Sequence, residues 1–180
     1  MDYRSSRQIQ ENYRVLGSSI GLEVSELRMA FYTRGREIDR DSCWVIELEF
    51  GDDKTIHFRY IEKMDVLKVN LGKWESPYNT FDIGAWEEVQ EVGRPQMFRV
   101  CDQEPYCRVL GKTLLNASPI DFKDLDSVKL LYGYRLYFSN FTVDIHCSNG
   151  DVDMTASDCS SNTSRSDRCE VGGRLFSPHW

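Results

Sequence analysis

No run of 18 or more apolar residues occurs along the chain, so no membrane-spanning helix is expected. The opening stretch MDYRSSRQIQENYR is polar and lacks the apolar centre of a secretory signal, which makes the cytoplasm the expected location. Cations are in deficit: 22 Lys and Arg stand against 29 Asp and Glu, for a formal net charge of −7. That balance is ill suited to neutralising phosphates, so nucleic acid is not an expected partner, whereas a basic protein surface is compatible with it. The same acidity also serves solubility.

The six cysteines form no CxxC pair, and the Cys101/Cys107 and Cys159/Cys169 spacings fit no common zinc pattern, so idle or buried thiols are expected. Asn116, Asn140 and Asn162 each open an Asn-X-Ser/Thr triplet, which keeps a secreted, disulfide-stapled domain as an alternative that a free-thiol count decides. Phosphate loops, a GxGxxG after a strand and an HExxH helix are missing. No catalytic residue, cofactor or metal ligand set is therefore assigned.

What the chain does contain is a phrase written twice, QENYRVLG at residues 10–17 and QEPYCRVLG at 103–111. The agreement continues in order. WVIELEF, TIHFRY and MDVLKVN follow the first copy, and YGYRLYF, TVDIHC and DVDMTA follow the second, sharing Leu-X-Phe, Ile-His and Asp-Val. An internal duplication of about ninety residues per unit is the reading, too few copies for a solenoid. Within the runs the apolar residues alternate. Ile46, Leu48 and Phe50 oppose Glu47 and Glu49, and Ile56, Phe58 and Tyr60 oppose His57 and Arg59. In the second unit Tyr134, Leu136 and Phe138 oppose Arg135 and Tyr137, while Val143, Ile145 and Cys147 oppose Thr142, Asp144 and His146. Asn149-Gly150 marks a tight hairpin turn.

The expected fold class is α+β, mainly β: two related antiparallel β-meander units with a few short helices. A first helix is expected from a cap at Ser5 or Ser6, with Ile9, Tyr13 and Leu16 on one face and Gly17 closing it. Pro105 must start or break its counterpart. A second short helix is expected over 84–92. The organisation is one compact domain: residues 1–72 a first unit, 73–100 a connector, 101–156 a second unit and 157–180 a flexible tail.

Candidate chemistry starts with His57 and His146, which fall at matching places after Ile in the two copies, each near carboxylates: Glu47 and Glu49, or Asp144 and Asp153. An acid beside an imidazole suits general acid–base catalysis, and a small enzyme using either histidine is the alternative function. Cross-strand polar pairing on a solvated face explains the same residues without catalysis. Asp52 and Asp53 sit in an expected turn, where aspartate serves local hydrogen bonding. Trp74, Tyr78, Phe81 and Trp86 are interleaved with Glu75, Asp82, Glu87 and Glu88, a mixture suited either to an interface with a basic partner or to packing between the units.

The stretches LEFGDDKTIHF with DVLKV, and LYFSNFTVDIHCSNGDVDM, give the chain a rhythm that resembles immunity proteins of bacterial polymorphic toxin systems of the contact-dependent or Rhs type, over residues 14–70 and 108–156. The resemblance implies a non-enzymatic inhibitor that binds one toxin domain, such as a nuclease, and occludes its active site or substrate surface. The expected partner-binding residues are Glu47, Glu49, Asp52, Asp53, Trp74, Tyr78, Trp86, Glu87, Glu88, Asp144, His146 and Asp153, and the cysteine-bearing tail departs from the compact form of such proteins.

Overall fold

The computed structural model describes residues 3–34, 37–51, 53–61, 66–76, 94–104, 106–123, 129–148 and 150–158. Helix α1 (Tyr3–Gly17) leads into four strands, β1 (Val24–Arg34), β2 (Glu37–Phe50), β3 (Lys54–Ile61) and β4 (Val66–Leu71), followed by β5 (Arg94–Arg99). A 3-10 turn (Tyr106–Val109) precedes β6 (Asn116–Lys123), β7 (Lys129–Tyr137), β8 (Phe141–Ser148) and β9 (Asp151–Asp158). The strands make two antiparallel sheets. The larger has the order β4-β3-β2-β1-β5 and the smaller β6-β7-β8-β9.

Period-two alternation decides which side chains enter the core. Leu27, Ile46, Leu48, Ile56, Phe58, Leu67 and Val69 of the larger sheet meet Tyr134, Leu136, Val143, Ile145, Val152 and Met154 of the smaller in one cluster. The mainly β, two-sheet character expected from the sequence is what the structure has. The inward sets read from β2, β3, β7 and β8 are buried, apart from the partly buried Tyr60 and Cys147. Asn149 lies outside the described residues, and Gly150 lies between the paired Ser148 and Asp151 at φ 91. That is the left-handed backbone for which a glycine was expected there.

Three strands lay outside the sequence reading: β1, β5 and β6. The helix also differs. It begins at Tyr3, so Ser5 and Ser6 lie inside its first turns and not at its cap. Its buried face is Gln8, Asn12 and Leu16, with Ile9 and Tyr13 half-buried beside it. Polar residues thus occupy the centre of its packed stripe. The 3-10 turn starts at Tyr106, and Pro105, expected to start or break a helix there, lies outside the described residues. The helix expected over 84–92 lies outside the described residues, as does 159–180. Ala156, Ser157 and Asp158 are strand residues, paired with Val143, Thr142 and Phe141.

The segments that follow the two RVLG copies pair with each other. Gly21 N–H donates to Leu114 O at 2.8 Å and Leu114 N–H to Leu22 O at 3.0 Å. Val24 N–H donates to Lys112 O at 3.0 Å and Gly111 N–H to Val24 O at 2.9 Å. An antiparallel bridge between Glu23 and Thr113 sits at the centre of this join. The repeated phrase therefore leads, in both copies, to the place where the two halves of the chain are stitched together.

Candidate functional site

Strand register aligns one polar row across the outward face of the larger sheet. Arg99 of β5 pairs with Arg28 of β1, Arg28 with Glu47 of β2, Glu47 with His57 of β3, and His57 with Asn70 of β4. Arg28 is the hub of its charges. Its Nη2 lies 2.5 Å from Glu47 Oε1 and 3.1 Å from Glu49 Oε2, and its Nε 3.9 Å from Glu26 Oε2. Arg99 reaches Glu26 at 3.5 Å, and Lys73 reaches Glu49 at 3.5 Å. Three cations thus meet three carboxylates.

The outward face is correct for Glu47 and His57, but the solvation expected there is not. Glu47 is only 1% exposed and His57 is largely buried. The chain leaving β4 crosses this row as a strap, Gly72–Ser76, and four contacts hold it down. Gly72 N–H donates to Thr55 O at 2.7 Å, and His57 Nδ1 lies 2.8 Å from Gly72 O. Trp74 N–H donates to Glu47 Oε2 at 2.5 Å, and Lys73 forms the ion pair with Glu49. A carbonyl can only accept, so His57 Nδ1 carries the ring proton and the neutral ring keeps Nε2 as its acceptor. Burial pushes the His57 pKa down, with the Gly72 hydrogen bond and Glu47 opposing that and Arg59 and Lys68 adding to it.

A buried carboxylate is tolerated only when its lone pairs are satisfied, and Glu47 has a guanidinium on one oxygen and a backbone N–H on the other. Both oxygens are committed internally. Glu47 therefore has no free surface for a partner, which corrects the expectation that placed it in a contact face. Glu49 is half-buried and shared by Arg28 and Lys73.

His146 stands elsewhere. It pairs with Gly133 on one side and Asp153 on the other, its Nε2 3.9 Å from Asp153 Oδ2. Register also separates the two histidines. Leu48 pairs with Ile56 and Leu136 with Val143, so with the two Leu-X-Phe phrases laid together the Glu47–His57 pair falls on Arg135–Asp144, and His146 falls on Arg59. In that alignment the two histidines, expected at matching places, fall two residues apart along the strand. Arg135 holds Asp144 with a two-pronged ion pair, 2.7 and 2.8 Å. Near Asp153, Ser42 donates to Asp151 at 3.0 Å. The Asp151 pKa is raised, first by burial and then by the charges of Asp153 and Asp39, against the Ser42 hydrogen bond.

Of the other expected contact residues, Asp53 is exposed in the β2–β3 turn at φ 58, and Trp74 is half-buried in the strap. Asp52, Tyr78, Trp86, Glu87 and Glu88 lie outside the described residues. The letters G-x-S-x-G do occur, at Gly17–Gly21, without the geometry of a nucleophile elbow. Ser19 follows a helix, is fully buried, and donates to Val15 O at 3.3 Å. Among the described residues no three His, Cys, Asp or Glu side chains are grouped to hold a metal, and no helix is long and apolar enough to cross a membrane. Cys43, Cys101, Cys107 and Cys147 are not disulfide-bonded.

Comparison with protein-family models, with curated proteins and with solved structures returns no match.

Proposed function

We propose that this chain is a protein-binding inhibitor of the immunity type, which neutralises a basic toxin domain by covering its active or substrate-binding surface. One observation carries the reading. The start of β2, Glu37–Asp41, is exposed at five successive residues, as an arm that extends past the end of β3, whose pairing stops at Val45↔Arg59. Glu37, Asp39 and Asp41 lie on it, and the charge of Asp39 acts on Asp151 together with that of Asp153. At the base of the arm Tyr32 and Trp44 form an edge-to-face pair at 4.9 Å, both half-buried. Acids flanking aromatic anchors suit steering towards a cationic surface followed by desolvated contact. The acids of the polar row are matched by cations, so the arm and the β9 carboxylates are the better candidates for the steering charge.

The test is capture from the native host on the immobilised chain, followed by mass spectrometry. A stoichiometric basic toxin domain is expected, and its binding should weaken at least about tenfold on reversing Glu37, Asp39 and Asp41 to Lys, with the loss shrinking in high salt. If no stoichiometric partner is recovered, the reading fails.

The finer architectural reading is part of the same proposal: the two meanders β1–β4 and β6–β9 descend from one duplicated unit. It is supported by their common strand order, by the shared RVLG and Leu-X-Phe phrases, and by the antiparallel join between Gly21–Val24 and Gly111–Leu114. An experimental structure tests it: the meanders should superpose with Leu48 on Leu136 and Phe50 on Phe138. A different best superposition ends the idea.

The enzyme alternative keeps one favourable observation, a neutral His57 with its tautomer fixed by Gly72. In that reading His57 Nε2 is the base, and Glu47, bound to Arg28, tunes it.

A further inference from the structure

We propose that the strap Gly72–Ser76 is a latch released by protonation of His57, which breaks the hold of Glu47 on the Trp74 N–H. The inference does not depend on the inhibitor reading. Its basis is that His57 and Glu47 are cross-strand neighbours and that each grips the strap at a different backbone group: His57 the Gly72 carbonyl, Glu47 the Trp74 N–H. A second proton on the ring enters at Nε2 and leaves the Nδ1–H to Gly72 bond in place, so the effect comes from charge. The charged groups around the ring are Arg59 on its own strand, Lys68 on β4, and Glu47 on β2, with Arg28 of β1 and Lys73 of the strap bound to the Glu47–Glu49 pair. Arg59 and Lys68 repel an imidazolium, and Glu47 is the acid that faces it. Both Glu47 oxygens are already committed.

Two responses relieve a buried imidazolium with an occupied counter-ion. Glu47 turns towards the ring and gives up the Trp74 N–H, or the strap lifts and water reaches the ring. Both cost the strap its Trp74 bond. Neutral pH keeps the latch shut because burial favours the uncharged ring.

The reporter is built in. With Trp44, Trp86 and Trp180 replaced by Phe, Trp74 is the one remaining tryptophan, because the chain has four. Its emission should change in a transition with a midpoint below pH 6.5. His57→Asn keeps a donor near the Nδ1 position but cannot titrate, and should abolish that transition. In the natural chain, exchange of the Trp74 amide, corrected for intrinsic pH dependence, should accelerate up to about tenfold per pH unit below 6.5. The amides of Ile46 and Leu48 should not follow. An unchanged transition in His57→Asn overturns the proposal, as does a ring that titrates by NMR while Trp74 exchange stays constant. Simultaneous loss of the Ile46 and Leu48 amides also overturns it, since that is global unfolding and not a latch. The exchange measurement decides the matter if His57→Asn does not fold.

Discussion

The side-chain amide of Asn12 donates to the hydroxyl of Tyr134 at 2.7 Å, joining helix α1 to the smaller sheet across 122 positions of sequence. The same amide donates to Leu67 O at 2.8 Å, while its oxygen accepts from Val69 N–H and from Gln8 Nε2, both at 2.9 Å. Asn12 thereby offers the edge strand β4 the donor and acceptor that a further strand would have supplied, which protects that edge. All four of its hydrogen-bonding positions are used, at full burial.

Asn12→Ala is accordingly expected to cost about 3 kcal/mol or more in urea unfolding, because it strands buried groups on β4 and at Tyr134. Tyr134→Phe removes one bond and should cost about 1 kcal/mol. If the two substitutions prove equally mild, Asn12 does not tie the helix to both sheets.

The Arg28–Glu47 pair sets a second expectation. Glu47→Gln leaves Arg28 without its closest counter-charge in a buried setting and should cost about 3–5 kcal/mol, whereas Glu49→Gln on the half-exposed side should cost about 1 kcal/mol or less. Denaturation of both variants and of Arg28→Met/Glu47→Leu separates pair energy from burial. The double apolar variant should recover much of the loss, and failure to do so would place the damage in the lost Trp74 bond instead.

The legibility of the fold in the sequence followed the physics of each strand. β2 from Ile46, β3, β7, β8 and β9 alternate apolar with polar residues along the sequence, so they can be read as strands even where, as in β2 and β3, both faces are covered. β1 has an extra residue between Val24 and Glu26, so its buried positions run Val24, Leu27, Met29 and Phe31, and the buried Ala30 blurs the alternation further. β5 and β6 carry Pro95 and Pro119, which discourage a strand reading, yet both are edge strands, where proline is allowed. Asn12 sat inside the repeated phrase in plain view. Its role was hidden because a polar residue in a helix reads as solvent-facing, and its partners Leu67, Val69 and Tyr134 are distant in sequence. The polar row was legible as a face, but not as a buried one, because the strap that crosses it comes from a later segment.

Gly133 faces His146 across β7 and β8 so closely that a Cβ added there would lie 2.7 Å from His146 Cα, with Ile145 O nearer still. Backbone on both strands would have to move. Gly133→Ala is expected to destabilise by about 1–3 kcal/mol and Gly133→Val by more, although both have better strand propensity than glycine. A thermal melt of each checks this, and a Gly133→Ala variant as stable as the natural chain would show that the strands separate freely.

Stability should also depend on pH through His57. Its folded pKa lies below the ordinary 6.5. Above 6.5 the ring is neutral in both states and contributes no slope. As pH falls below 6.5 the unfolded chain binds the proton first, so stability declines until the folded pKa is reached, and there the contribution levels off. Unfolding free energies measured from pH 7.5 to 5.5 should decline in the natural chain and decline less in His57→Asn. The raised pKa of Asp151 acts with the opposite sign, adding stability as pH falls, and is common to both proteins, so the difference between their slopes isolates His57. Equal slopes in the two proteins would remove His57 from the account.

The cysteines give the last expectation. Cys43 is buried between β2 and its surroundings, donates to Val45 O at 3.4 Å, and has its pKa pushed up to about 12, chiefly by that burial. Cys101 is equally buried and exchanges hydrogen bonds with Leu27 N–H and Leu27 O, both at 3.3 Å. Alkylation requires a thiolate and an open path. Cys43 has neither in the folded state, and Cys101 lacks the path. Cys107 and Cys147 are only partly buried, so access is easier, although the hydrogen bond from Cys107 to Glu104 raises that thiol's pKa. Iodoacetamide at pH 8 followed by peptide mapping should therefore label Cys107 and Cys147 first. Cys43 and Cys101 should be labelled only at the rate of opening, and all four should react rapidly in urea. Labelling of Cys43 as fast as Cys107 in the native protein would mean that the packing of β2 around Cys43 opens readily in solution.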